Sequence, residues 1–324
     1  MSDYDNGVRV PRLLRVALRA AISATFAATF AQAAGFELIG TVHARRPLRV
    51  YLECATAPFE ASTLSDLSGR FHFRKLLPGA YVVMVAGLQQ SVEVGPGVAD
   101  SKGRVNITIE LRNADRLRNM ERRSLVSVRE LSVPKEAWHQ YQEAQKALGR
   151  RDATSAVAHL KRAVEIAPQF AAAWNHLGTI AYQVSQFVEA EADFRKGMEA
   201  DPDAYAPLVN LGGVLLNLGR WDEALELNRR AVLKSPRDAL ANCQLGMAYF
   251  YSTQLDLAEK YLTTAKQIDP AHFSHPQVLL AAIHLRRKEW DAAAAELKDL
   301  LGRHPDLPDA GEIRQQIARL QAAK

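Results

Sequence analysis

Few residues in this 324-residue chain stand at spacings that would do chemistry. His272 and His275 lie three apart, a pairing metal ions use, but a protein site needs at least a third ligand and none accompanies them. They read as surface histidines. Glu189 and Glu191 form an acid pair in a stretch dense with charge, where solvation alone accounts for them. Cys54 and Cys243, the only two cysteines, fall in different segments and read as free, small, buried hydrophobes. There is no His-Glu-x-x-His, no Gly-x-Ser-x-Gly, no phosphate loop and no Cys-x-x-Cys. The expectation is a non-enzymatic protein with no cofactor and no resident metal, whose chemistry is recognition.

The elements that would present such a recognition surface are marked by five prolines. Pro168, Pro202, Pro236, Pro270 and Pro305 are separated by 34, 34, 34 and 35 residues. Ala156, Ala190, Ala224, Ala258 and Ala293 each stand twelve residues before their proline. Leu160, Phe194, Leu262 and Leu297 stand eight before, with Asn228 breaking that column, and Phe187, Trp221, Leu255 and Trp290 make a third column. Each unit reads as two helices, for example 171–184 and 188–200. Small alanines let the helices cross closely, large residues fill the space beside them, and proline disfavours helical geometry in the residue before it. One such pair cannot bury its apolar face alone, whereas a stack can.

Trp174-x-x-Leu177-Gly178 with Ala190, Phe194 and Pro202 resembles the tetratricopeptide repeat. The next units repeat the match with Leu211-Gly212, Ala224 and Pro236, then with Leu245-Gly246, Tyr249, Ala258 and Pro270. The resemblance implies five repeats over 135–307, with 308–324 as a capping helix whose Ile313, Ile317 and Leu320 face inward and Arg314, Gln315, Gln316 and Arg319 outward. It also implies a groove lined by the first helix of each pair. By alignment that groove receives Trp138, Tyr141, Gln145, Asn175, His176, Thr179, Tyr182, Asn210, Asn217, Gln244 and Tyr251, with Val209 and Met247 beside them as groove or core. Aromatic bodies with amide and hydroxyl tips suit an extended protein or peptide segment, whose backbone needs hydrogen-bond partners. Chaperone-binding relatives clamp a terminal carboxylate with basic residues. The matching positions here are Tyr141, Gln145, His176, Ala206 and Asn210, so that clamp is not expected.

Ahead of the repeats the period changes. Arg49 to Cys54 alternates with Val50, Leu52 and Cys54 on one face, Arg70 to Arg74 turns Phe71 and Phe73 inward, and Tyr81, Val83, Val85 and then Ile107, Ile109, Leu111 continue. Such spacing, punctuated by Gly and Pro, predicts an antiparallel β-sandwich over 36–111. Ser65-Asp66-Leu67-Ser68-Gly69-Arg70-Phe71-x-Phe73, followed by Leu76-Leu77-Pro78-Gly79-x-Tyr81, resembles the carboxypeptidase regulatory-like domain, a small prealbumin-like sandwich grouped with carbohydrate-binding-like folds. That resemblance transfers no catalytic residue. It makes carbohydrate an alternative partner, with Tyr51 as the exposed aromatic.

Residues 1–33 read as a signal peptide, with an uncleaved anchor or an amphipathic transit peptide as the alternative: Arg9, Arg12, Arg15 and Arg19, an apolar run from Ala20 to Ala31, and an Ala31-Gln32-Ala33 cleavage pattern. An exported, periplasmic or secreted protein, bacterial in character, with no membrane span after cleavage is the expectation. Residues 112–134 read as a basic linker crossed by few contacts, so that sandwich and repeats should separate. The formal net charge is +5, of which +2 belongs to the leader, too little to argue for nucleic acid. The fold class expected is a sandwich followed by an all-α superhelical solenoid, and the function a scaffold or adaptor binding protein or peptide. An accessory subunit of a peptidase or export complex is a further reading.

Overall fold

The computed structural model describes residues 35–43, 47–110 and 132–322. The leader at 1–33 and residues 112–131 of the linker lie outside the described residues. Two compact bodies meet in sequence at Leu218 and Gly219.

The described residues of the first body begin with seven strands: β1 Phe36–Val42, β2 Arg49–Cys54, β3 Glu60–Leu64, β4 Arg70–Leu76, β5 Gly79–Val85, β6 Leu88–Val94 and β7 Arg104–Ile109. They form two sheets, ordered β4-β1-β7 and β3-β2-β5-β6. Alternation decides which side chains enter the core: Leu38, Val50, Leu52, Phe71, Phe73, Tyr81, Val83, Val94 and Ile109 are all buried there. Pairing is antiparallel except that β1 and β7 run parallel. One turn is built twice. Asp66 Oδ1 accepts from the Ser68 and Arg70 amides at 2.8 Å each, and Asp100 Oδ1 accepts from Lys102 and Arg104 at 2.8 and 3.0 Å. Both turns end in Gly-Arg, and Gly69 is obligatory: its φ is +80°, and an added Cβ would stand 2.0 Å from the Val42 carbonyl oxygen.

Among the described residues, five helices follow in this body: α1 Lys135–Gly149, α2 Ala153–Ile166, α3 Ala171–Gln183, α4 Phe187–Ala200 and α5 Tyr205–Asn217. The second body contains α6 Trp221–Lys234, α7 Ala239–Tyr251, α8 Leu255–Ile268, α9 Pro276–Arg286, α10 Trp290–Arg303 and α11 Ala310–Ala322. Helices α2, α4, α6, α8 and α10 each end two residues before the repeat proline. The alanine column is fully buried at all five positions. Leu160, Phe194, Leu262 and Leu297 are buried beside it. Asn228 is as buried as they are, and neither of its amide atoms has a hydrogen-bond partner. The helices follow the two-helix unit of a solenoid, as expected.

Three expectations are corrected. His272 is buried and His275 half-buried, so neither is a surface residue, and the His272 ring lies tilted against Phe273 with centroids 4.3 Å apart. Gln316 is buried on the inner face of α11 with Ile313 and Ile317. The sandwich and the first repeats are packed together rather than sharing few contacts. Arg151 donates to the Lys75 carbonyl at 3.1 Å and lays its guanidinium 4.7 Å from the Phe59 ring centroid. Gln183 donates to the Cys54 carbonyl at 3.1 Å. A Cβ on Gly149 would come within 3.1 Å of the Glu60 carbonyl oxygen, so the end of α1 lies directly on β3. β3 is an edge strand, and an edge covered by a helix is protected from pairing with other chains.

Candidate functional site

The first helices α1, α3 and α5 owe their shared face to the repeat. Gly178 permits the close crossing of α3 and α4, since a Cβ there would lie 2.7 Å from Phe194 ring carbons. With that crossing set, residues at one repeat's distance become neighbours. Asn210 Nδ2 donates to Asn175 Oδ1 at 2.9 Å, and Asn217 Nδ2 donates to Tyr182 Oη at 3.0 Å. Each pair is 35 residues apart, so the two bonds form a ladder between α3 and α5. Thr179 turns its hydroxyl to the Asn175 carbonyl of its own helix. Tyr182 also packs edge-on against Phe187, and burial pushes its phenol pKa up against the opposing Asn217 bond.

Toward α1 the same face is aromatic. Trp138, Tyr141 and Phe170 cluster, with Trp138 and Tyr141 each within 5.0 Å of the Phe170 ring centroid. Tyr141 stands 5.2 Å from the His176 ring. Beyond them lies the sandwich. Gln145 Nε2 donates to Glu60 Oε1 at 3.1 Å, and His176 Nε2 stands 3.7 Å from Glu60 Oε2. Glu60 pairs directly across the ladder with Glu53 of β2. Burial lifts the Glu60 carboxyl to about 7, the Glu53 charge adds to this, and the Gln145 bond opposes it. Burial likewise raises Glu53. It lowers His176 to about 4, with the Ala172 backbone opposing, so the imidazole is neutral.

The remaining sequence-selected residues lie elsewhere. Val209 is core in the first body and Met247 core in the second. Gln244 is buried in α7 with its Oε1 unpartnered. Tyr251 stacks on Trp221, rings 4.1 Å apart and 14° from parallel. Glu53 and Glu60 had no mark in the sequence as site residues. Strand alternation turned Glu53 away from the sandwich core, which reads as solvent unless a helix is known to cover it.

The tetratricopeptide repeat family model matches residues 141–205, 181–242 and 239–272. Residues 141–272 are therefore built of tetratricopeptide repeats. The chain is 29% identical over 132 residues to the protein CTR9 homolog of Arabidopsis thaliana, covering 39% of this chain and 12% of that protein. It is 26% identical over 182 residues to anaphase-promoting complex subunit 3 of Schizosaccharomyces pombe, covering 54% and 27% respectively. It thus spans only about an eighth to a quarter of the curated relatives it matches. Among solved structures it is similar to PilW, described as a type IV pilus biogenesis factor, at a TM-score of 0.52 and 22% identity over 58% of this chain and 87% of that one, a likeness of fold.

Proposed function

We propose that the chain is a non-catalytic protein-interaction scaffold that receives an extended peptide segment on α3 and α5. The observation that carries this is the ladder of Asn175 with Asn210 and Tyr182 with Asn217. Amide side chains carry both donor and acceptor, which an extended backbone requires. The neighbouring stretch of the same face already meets an extended strand, β3, through Gln145 and His176. A partner would extend along the face from there. The leader-like residues 1–33 support an exported protein acting in the periplasm or outside the cell.

Peptides selected from a phage-displayed library on the full chain should bind with an affinity that Asn175→Ala with Asn210→Ala weakens roughly 30-fold, as for anchors at an interface centre. Fluorescence anisotropy reads this, with circular dichroism confirming the fold. Equal binding by the double variant would remove α3 and α5 as the site.

A further inference from the structure

We infer that Glu53, Glu60 and His176 bind one divalent transition-metal ion of the zinc class, which pins the sandwich to α3. The three residues each offer a ligand atom, and those atoms all lie within 4.8 Å of one another. They come from β2, β3 and α3, so the grouping exists only because the sandwich docks on the repeats. This holds whether or not a peptide binds farther along the face.

A bound cation would relieve this arrangement, as a proton on one carboxyl also would. Glu53 and Glu60 stand directly opposite on adjacent strands, and when both are ionised they repel. The Glu60 side chain is only 11% exposed, and its Oε2 is buried without a hydrogen-bond partner. The nearby imidazole does not relieve it, since 3.7 Å exceeds a hydrogen bond. A tetrahedral ion with ligand bonds of about 2.1 Å holds its donors about 3.4 Å apart. The Glu60–His176 separation is already close to that, and rotation of the Glu53 side chain closes the rest. The supporting groups are in place as well. Gln145 holds Glu60 Oε1 and leaves Oε2 to the ion, and the Tyr141 ring flanks the imidazole. One nitrogen and two carboxylates suit zinc and its neighbours, whereas magnesium and calcium favour oxygen alone. Such an ion would join residues 60 and 176, far apart in sequence, and act as a clamp.

The test uses the full chain, stripped with EDTA and titrated with ZnCl2 or MgCl2 by calorimetry, with thermal melts alongside. One zinc ion per chain should bind, magnesium should not, and zinc should raise the melting temperature by several degrees. Glu53→Gln keeps the shape and removes the repulsion. The stripped variant should therefore melt no lower than wild type, yet bind zinc at least ~10-fold more weakly and lose the zinc-dependent shift. His176→Gln should lose zinc to a similar degree. Failure of the wild type to bind zinc stoichiometrically overturns the proposal. So does zinc binding that neither variant weakens, which would place the ion elsewhere, and so does equal binding of magnesium.

Discussion

Helix α3 in the first body and α7 in the second stand two repeats apart, with Gly178 matching Gly246, yet they live in different surroundings. α7 is buried nearly all round, from Ala241 through Phe250. α3 buries Ala173, Leu177, Gly178, Ile180 and Ala181 and keeps Asn175, His176, Thr179 and Tyr182 half-buried. Its half-buried side meets the amides of α5, one repeat on, and two partners the repeat does not supply, Glu60 and the Cys54 carbonyl of the sandwich. The repeat pattern thus sets which residues cross at the helix pairs. What the first helices present is decided by the domain laid against them.

The comparison is sharpest at the paired crossings. Phe194 and Leu262 fill equivalent slots under the two glycines and are both fully buried. Phe194→Ala should cost ~3–5 kcal/mol and Leu262→Ala ~2–5 kcal/mol. In a repeat array, damage spreads mainly to neighbours. Hydrogen exchange read by mass spectrometry should therefore show Phe194→Ala exposing α3 and α4, and Leu262→Ala exposing α7 and α8. Uniform loss in both variants would contradict two bodies.

The glycines themselves should separate next. A Cβ on Gly178 meets Phe194 ring carbons at 2.7 to 3.0 Å, and a ring can turn. A Cβ on Gly246 meets Leu262 Cγ at 2.7 Å and also the Leu262 amide nitrogen at 3.0 Å and the Ala258 carbonyl at 3.1 Å, which cannot. Both alanine substitutions should destabilise, by ~1–3 kcal/mol, with Gly246→Ala the worse. The reverse order, read by chemical denaturation, would show that the ring is the more rigid neighbour.

The second body should also fail first in acid. Burial depresses the pKa of His275 to about 3, with His304 and His272 adding to it. Burial lowers His272 too, against the opposing charges of Asp269 and Asp238. Each histidine binds a proton more readily unfolded, at the ordinary 6.5, than folded. Their contribution is thus complete above pH 6.5 and is lost as pH falls from 6.5 toward 3. Melting of α6–α11, followed by hydrogen exchange, should drop between pH 6.5 and 5. His275→Gln should flatten that drop, and an unchanged slope would refute the assignment.

The smallest expected effect is a gain. Asn228 is buried in a leucine column with both amide atoms unpartnered. Asn228→Leu should raise stability by about 1 kcal/mol or more, since the desolvation cost disappears. A loss in urea denaturation would mean the amide is satisfied after all.

Much of this architecture was legible in the sequence, because the signals are local. Each repeat proline stands two residues past a helix, the alanine and leucine columns are core, and strand alternation turned Phe71, Phe73 and Val83 inward. The parallel pairing of β1 with β7 left no trace, since it joins strands more than 60 residues apart and depends on neither one's own pattern. Burial of His272 and Gln316 was hidden for a related reason: a polar side chain reads as outward until a neighbouring element covers it. Of the inner-face residues, Asn175 and Asn210 fell on one surface because one repeat separates them. Glu60 was invisible there, because nothing in a strand of five residues says that a helix will close over it.

The central claim is that the sandwich is held on α1 and α3 by direct contact. The most direct measurement is to place a protease site between Arg112 and Arg129 of the full chain, cut it, and pass the product through size exclusion at micromolar concentration. The expected result is co-elution of the two pieces at the size of the uncut chain, with Arg151→Ala and Gln183→Ala together loosening it. Pieces that elute apart while each remains folded by circular dichroism would contradict it.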